Sequence, residues 1–180
     1  MSREVEAVTL VVQWCHVAAG ILWVGGAAVL ELVARPILER LPPETERAVG
    51  ARMGRALVPY FAVAGTATIV FGVLRGTLFG PIRSFADLGT KYGIAWCVAL
   101  AVAATLAVLG AVGIGRTSTV YYETEAFWRS AAGPGEAPVP QGLPAEAARV
   151  RRRLVRLGRL QLSGFAAILV CMLLMSELFS

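Results

Sequence analysis

His16 is the only histidine of this 180-residue chain, and it lies inside the apolar run Gln13-Trp14-Cys15-His16-Val17-Ala18-Ala19-Gly20-Ile21-Leu22-Trp23-Val24-Gly25-Gly26. An ionisable ring at hydrocarbon depth is costly, so it is a functional candidate by default. Imidazole is also the usual nitrogen donor to haem iron and a common metal ligand. Two chemistries fit. In the first, neutral His16 ligates a b-type haem, and Arg75, Arg83 or Lys91 pair with its propionates. Trp23, seven residues on and on the same helix face, is then a pocket wall or plain core packing. One histidine per chain excludes bis-histidine ligation within a monomer, so the sixth position is open or filled by Met172, Cys171, Met175 or a partner chain. In the second, His16 joins Cys15, Cys97, Cys171, Met172 or Met175 around Cu(I), which favours sulfur donors. Beside both stands a cofactor-free role, in which His16 donates to Gln13 or a backbone carbonyl and ties helices together.

Other polar residues are fewer. Arg75 carries a charge inside an apolar run, so it needs a partner or must reach toward the surface. Glu31 and Arg35 have the spacing of an i,i+4 pair. The three cysteines, all in apolar runs, have packing as their default. No nucleotide-binding loop, paired hydrolase motif or nucleophile–base signature occurs.

The elements that must hold these residues are membrane helices. The chain is 57% hydrophobic and 16% charged, with a mean hydropathy of +0.66. A soluble domain is nearer about 45–50% apolar and more charged. Crossing a bilayer takes about 20 mostly apolar residues. Four segments qualify: residues 7–33, 58–80, 88–115 and 157–179. They predict a single domain over residues 1–180, an all-α integral membrane antiparallel four-helix bundle. The first residues lack a basic leader region, so the first span is expected to stay in the mature protein.

Sixteen of the 17 basic residues are arginines, concentrated in connections 34–57 and 116–156. By the positive-inside rule these connections are cytoplasmic and both termini are outside, as in a bacterial-type inner membrane. The net charge of +5 therefore reflects topology and lipid headgroups rather than nucleic acid. Residues 43–57 read as an interfacial helix, and Pro144–Arg156 as a basic helix entering span four. Tyr121, Tyr122, Phe127 and Trp128 read as interface anchors, and residues 133–140 as a spacer.

Small residues let helices approach in lipid. They recur at Ala64, Thr68, Gly72 and Gly76, and at Ala95, Ala99, Ala103, Ala107, Ala111 and Gly115. Span four has Ser163, Ala167 and Cys171, and span one has Gly20 and Ala27 beside His16 and Trp23. Counting about 1.5 Å per residue puts His16, Trp96, Cys97, Cys171 and Met172 at one depth in the outer half, with Arg75, Arg83 and Lys91 nearer the surface.

The stretch His16-x6-Trp23-Val24-Gly25-Gly26 resembles the first-helix motif of the copper-resistance protein D (CopD) superfamily, and the J-type protoporphyrinogen oxidases (HemJ) share a similar pattern. Phe71-Gly72-Val73-Leu74-Arg75 and Lys91-Tyr92-Gly93 look like the end of their second helix and the opening of their third. The resemblance implies that His16 is a haem or metal ligand, with Lys91 near the active region. It implies either oxidation of protoporphyrinogen-like molecules or movement of copper. The chain departs from both groups: it has no Arg-x-x-Asn-Glu stretch in the last helix, no second histidine and no methionine-rich loop.

These readings lead to one expectation, a membrane redox protein binding haem b through His16, for electron transfer or oxidation of a porphyrin- or quinone-like substrate. Copper handling and a cofactor-free scaffold subunit stand as alternatives. The expected surrounding is the lipid bilayer, and a homodimer or larger membrane complex is compatible with the small-residue stripes.

Overall fold

Four long helices carry the chain in this computed structural model, which describes residues 3–129 and 145–177. They are α1 (Arg3–Leu38), α2 (Pro43–Gly76), α3 (Lys91–Glu123) and α4 (Ala145–Glu177). Each is long and apolar enough to cross a membrane, and the described residues include no strand. The architecture is the expected all-α four-helix bundle. α1 packs chiefly on α2, and α3 on α4.

The helices outrun their apolar segments. With 36 residues in α1 and 34 in α2, each is roughly 50 Å long, against about 30 Å of hydrocarbon. Most of the excess lies at the arginine-rich end. Residues 43–57 are not a separate interfacial helix but the first turns of α2. Pro43 sits where its missing N–H costs nothing, and Glu44 and Glu46 suit the positive end of the helix dipole. Hydropathy marks only where a helix turns apolar, so the first connection shrinks to residues 39–42.

At the arginine-poor end α2 stops at Gly76 rather than at residue 80. Phe79 N–H donates to the Leu74 carbonyl at 3.0 Å and Ile82 N–H to that of Gly76 at 3.1 Å. Gly80 lies so close to the carbonyls of Arg75 and Gly76 that any Cβ would overlap them. A 3-10 turn, Phe85–Gly89, then occupies the expected start of span three, and Thr90 caps α3 by accepting from Gly93 N–H at 3.0 Å.

Two π-helical turns interrupt the ladders, Leu30–Ala34 in α1 and Leu109–Gly115 in α3. The first precedes Pro36, which has no N–H for the carbonyl of Leu32 and would crowd it in a regular α-helix.

The bundle has two cores. One lies among the apolar segments: Trp23, Ala27, Ala64, Ala103, Leu106 and Phe165, with the Trp23 and Phe165 rings edge to face at 5.1 Å. The other closes the arginine-rich end: Tyr121, Phe127, Trp128, Ala147 and Leu154, with Tyr122 packed against them. These aromatics were expected to be interface anchors, but Tyr121, Phe127 and Trp128 are only 1%, 6% and 5% exposed. A five-residue helical turn, Glu125–Arg129, folds Phe127 and Trp128 back, and Trp128 Nε1 donates to the Tyr121 carbonyl at 2.9 Å. The spacer read at residues 133–140 lies outside the described residues.

The small-residue faces expected on α2 and α3 turn inward at Ala64, Gly76 and Ala103, which are buried, while Ala111 of the α3 stripe is exposed. On α4 the face differs. Ser163 and Ala167 are exposed, while Leu154, Gly158, Gln161 and Phe165 are buried. The large apolar anchors Leu154 and Phe165 set that face, and Gly158 and Gly164 permit the close approach to α1 and α3.

Candidate functional site around His16

Antiparallel packing of α1 on α2 sets a regular series of facing residues. Gln13 meets Arg75, His16 meets Gly72 and Thr68, Gly20 meets Thr68, Trp23 meets Gly65, and Gly26 meets Tyr60 and Phe61. The two rings of α1, His16 and Trp23, each face a glycine of α2, and Gly26 of α1 in turn receives the Tyr60 and Phe61 rings. This complementarity seats an imidazole and an indole between two helices.

His16 is half-buried, and its Nδ1 lies 2.9 Å from the carbonyl oxygen of Thr68. A carbonyl can only accept, so Nδ1 carries the proton and Nε2 of the neutral ring keeps its lone pair. The Thr68 hydroxyl is turned away, donating to the Ala64 carbonyl at 2.7 Å. Gly72 lies flat against the ring: a Cβ there would stand 2.9 Å from His16 Cε1 and 3.3 Å from Nδ1. The Gly72 carbonyl in turn accepts from Trp96 Nε1 at 3.3 Å. Three helices thus meet at this level, as depth counting anticipated for His16 and Trp96.

Arg75, one turn further along α2, does not merely snorkel. Its Nε donates to Gln13 Oε1 at 2.9 Å and its Nη1 to the Phe79 carbonyl at 2.9 Å, so it bridges α1 and ties down the turn after α2. Of the two partners the sequence offered His16, a backbone carbonyl is the one it takes, and Gln13 goes to Arg75. Its position three residues before His16, matching Gly72 and Arg75 on the facing helix, is the signal that would have paired it correctly.

The remaining expected site residues are dispersed. Trp23 is a core side chain, packed on Gly65 and Phe165. Lys91 is exposed at the first residue of α3, and Cys97, Cys171 and Met172 are half-buried on α3 and α4. Cys15, Cys97 and Cys171 are free thiols. Among the described residues no three His, Cys, Asp or Glu side chains gather as a metal site. Arg83 lies in the loop, where its Nη1 donates to the Leu78 carbonyl at 3.0 Å. In the same loop Asp87 accepts from Arg83 N–H and from Ser84, and these bonds hold its carboxyl below the ordinary aspartate pKa.

A second polar site is the i,i+4 pair that the spacing of Glu31 and Arg35 predicts. Glu31 and Arg35 form a close ion pair whose side chains are 8% and 17% exposed. Gly158 of α4 lies directly on the Glu31 carboxylate, with no room for a Cβ. The Arg35 Nε is buried without a hydrogen-bond partner among the described residues.

The fold and this polar axis define a class: a four-helix membrane bundle with one histidine clamped between its first two helices. Comparison takes it no further, since no family model, curated protein or solved structure matches the chain.

Proposed function

We propose that this chain is a b-type haem-binding redox protein of a bacterial-type inner membrane, with its arginine-rich end cytoplasmic, both termini outside and His16 as axial ligand. The reading rests on the bond from His16 Nδ1–H to the Thr68 carbonyl. A metal-ligating histidine commonly donates its other ring N–H to a carbonyl, which fixes the tautomer and ring orientation. The donor therefore fits. Haem, when bound, supplies one-electron chemistry, either transfer or oxidation of a porphyrin- or quinone-like molecule. The chain's own residues supply position and charge. Gly72 leaves the ring its place, and Trp96 braces the Gly72 backbone. Arg75 Nη2 makes no hydrogen bond among the described residues and is available to a propionate or substrate anion. Lys91 adds a second cation at the same end of the bundle. Met172 on α4 is the proposed sixth ligand.

The same bond favours a second reading, a cofactor-free subunit in which His16–Thr68 and Arg75–Gln13 lock α1 to α2. An absorption spectrum of detergent-purified protein from haem-replete cells, beside His16→Ala, separates the two. A Soret band in the wild type that is lost in the variant supports haem ligation, and Met172→Ala then shifts the reduced α-band. A colourless wild type overturns it, and metal analysis of that sample tests for copper.

A further inference from the structure

Two cavities adjoin at the arginine-rich end, where the end of α1 faces the first half of α4. The larger, of about 600 Å³, is lined by Arg151, Arg152, Arg156 and Arg159 against a single carboxylate, Glu39. Glu39 is already engaged, its Oε2 lying 3.2 Å from Arg151 Nη2. Arg152, Arg156 and Arg159, which recur at helical spacing on one stripe of α4, are exposed and form no ion pair among the described residues. The cavity thus presents three uncompensated guanidinium groups, the side chain best shaped to grip phosphate oxygens in pairs.

The smaller cavity, of about 240 Å³, shares Glu39, Val155 and Arg159 with the first and continues it toward the apolar segments, where the mutually neutralised Glu31–Arg35 pair and then Leu32, Pro36 and Leu162 line it. Leu32 is 66% exposed, so this end opens sideways onto the face that lipid covers. The groove therefore runs from unpaired arginines, past the self-neutralised Glu31–Arg35 pair, to an apolar flank. A soluble phosphate needs only the first part. A phospholipid needs both, in that order, at the depth where headgroup meets acyl chain.

We propose that this groove is a specific binding site for an anionic phospholipid, its phosphodiester held by Arg156 and Arg159 and its first acyl carbons lying along Leu32 and Leu162. The site wedges between α1 and α4 beside the buried Glu31–Arg35 pair, so an occupied groove braces the two helices there. It stands independently of what His16 binds.

The test is titration of the full chain in dodecyl maltoside with dioleoyl phosphatidylglycerol, with dioleoyl phosphatidylcholine and with inorganic phosphate, read by native mass spectrometry. Phosphatidylglycerol is expected to bind in preference to phosphatidylcholine. Arg156→Gln/Arg159→Gln is expected to weaken it roughly 30-fold, two headgroup-level charges being lost. Arg52→Gln/Arg116→Gln, which removes two exposed arginines elsewhere at the same end, leaves it within about twofold. Equal losses in both variants would mean diffuse attraction and overturn the site. Competition by millimolar phosphate would overturn the lipid in favour of a soluble anion. A photoreactive phosphatidylglycerol gives a variant-free check on wild-type protein: labelling centred on residues 152–162 supports the groove, and labelling spread evenly over the arginine-rich end refutes it.

Discussion

Gly72→Ala puts a methyl carbon 2.9 Å from His16 Cε1 and 3.3 Å from Nδ1. Ordinary carbon contacts begin near 3.5 Å, so the ring must retreat by about 0.5 Å. It is already hydrogen-bonded at 2.9 Å to the Thr68 carbonyl. Moving that far stretches the bond beyond useful length and costs about 1 kcal/mol. Overpacking of the α1–α2 contact adds about 1–3 kcal/mol. Against this, alanine is favoured over glycine within a helix by roughly 0.5–1 kcal/mol. The clash wins, for a net loss of about 1–3.5 kcal/mol, or a melting temperature lower by roughly 2–14 °C for a chain of this size. Gly25→Ala is the control: it lies on α1 with nothing within 4 Å of its added Cβ, so only the helix-propensity gain remains. Thermal unfolding of both variants in one detergent, with the Soret region recorded on the same samples, is the assay. If Gly72→Ala melts at or above the wild type, or shifts as Gly25→Ala does, the imidazole is not seated on Gly72 and the register of α1 on α2 is wrong.

Three further outcomes follow from the packing. Glu31→Gln keeps the shape beneath Gly158 but strips Arg35 of its counter-charge, costing about 2–3 kcal/mol, and adding Arg35→Gln should recover most of that; a double variant as unstable as the sum of its singles would contradict the buried pair. Tyr121→Phe removes the hydroxyl that donates to buried Glu46 Oε1 at 3.2 Å and should cost about 1–3 kcal/mol, read as a lower melting temperature; an unchanged melt would show that the second core does not depend on that bond. The Asp87 carboxyl, held low chiefly by Arg83 N–H and then by Ser84, keeps its loop bonds above the ordinary aspartate value and loses them as pH falls through its lowered one. The Arg83 and Ser84 amide resonances should therefore titrate together below pH 3.8, and a midpoint at or above that value would refute the bonded loop.

Much of this fold is legible in the chain because hydropathy is a local property. Twenty apolar residues with no water to bond must be helical, whatever their neighbours, so the four spans and the inward turn of the small-residue faces of α2 and α3 at Ala64, Gly76 and Ala103 follow from sequence alone. The same reasoning singled out His16 and placed Trp96 at its depth. It failed where local signal is silent. Amphipathic turns such as residues 43–57 continue a helix without looking membrane-like, so helix ends were missed. Tyr121, Phe127 and Trp128 suit an interface or a core equally well, and it is distant segments, Glu46 of α2 and Ala147 and Leu154 of α4, that help to bury them. The α4 face was misread because Leu154 and Phe165, not the small residues, decide which side turns inward.

The candidate site divides the same way. Sequence by itself determined that one imidazole and one guanidinium lie in or beside apolar helices and must find partners, since unpaired polar groups in hydrocarbon are costly. Which partners they find depended on the register between α1 and α2. Hydrogen bonds and close contacts join residues some fifty positions apart, and no local pattern encodes that alignment. Tertiary structure alone gave Thr68 to His16 and Gln13 to Arg75, set Gly158 on Glu31, and gathered the α4 arginines into a groove.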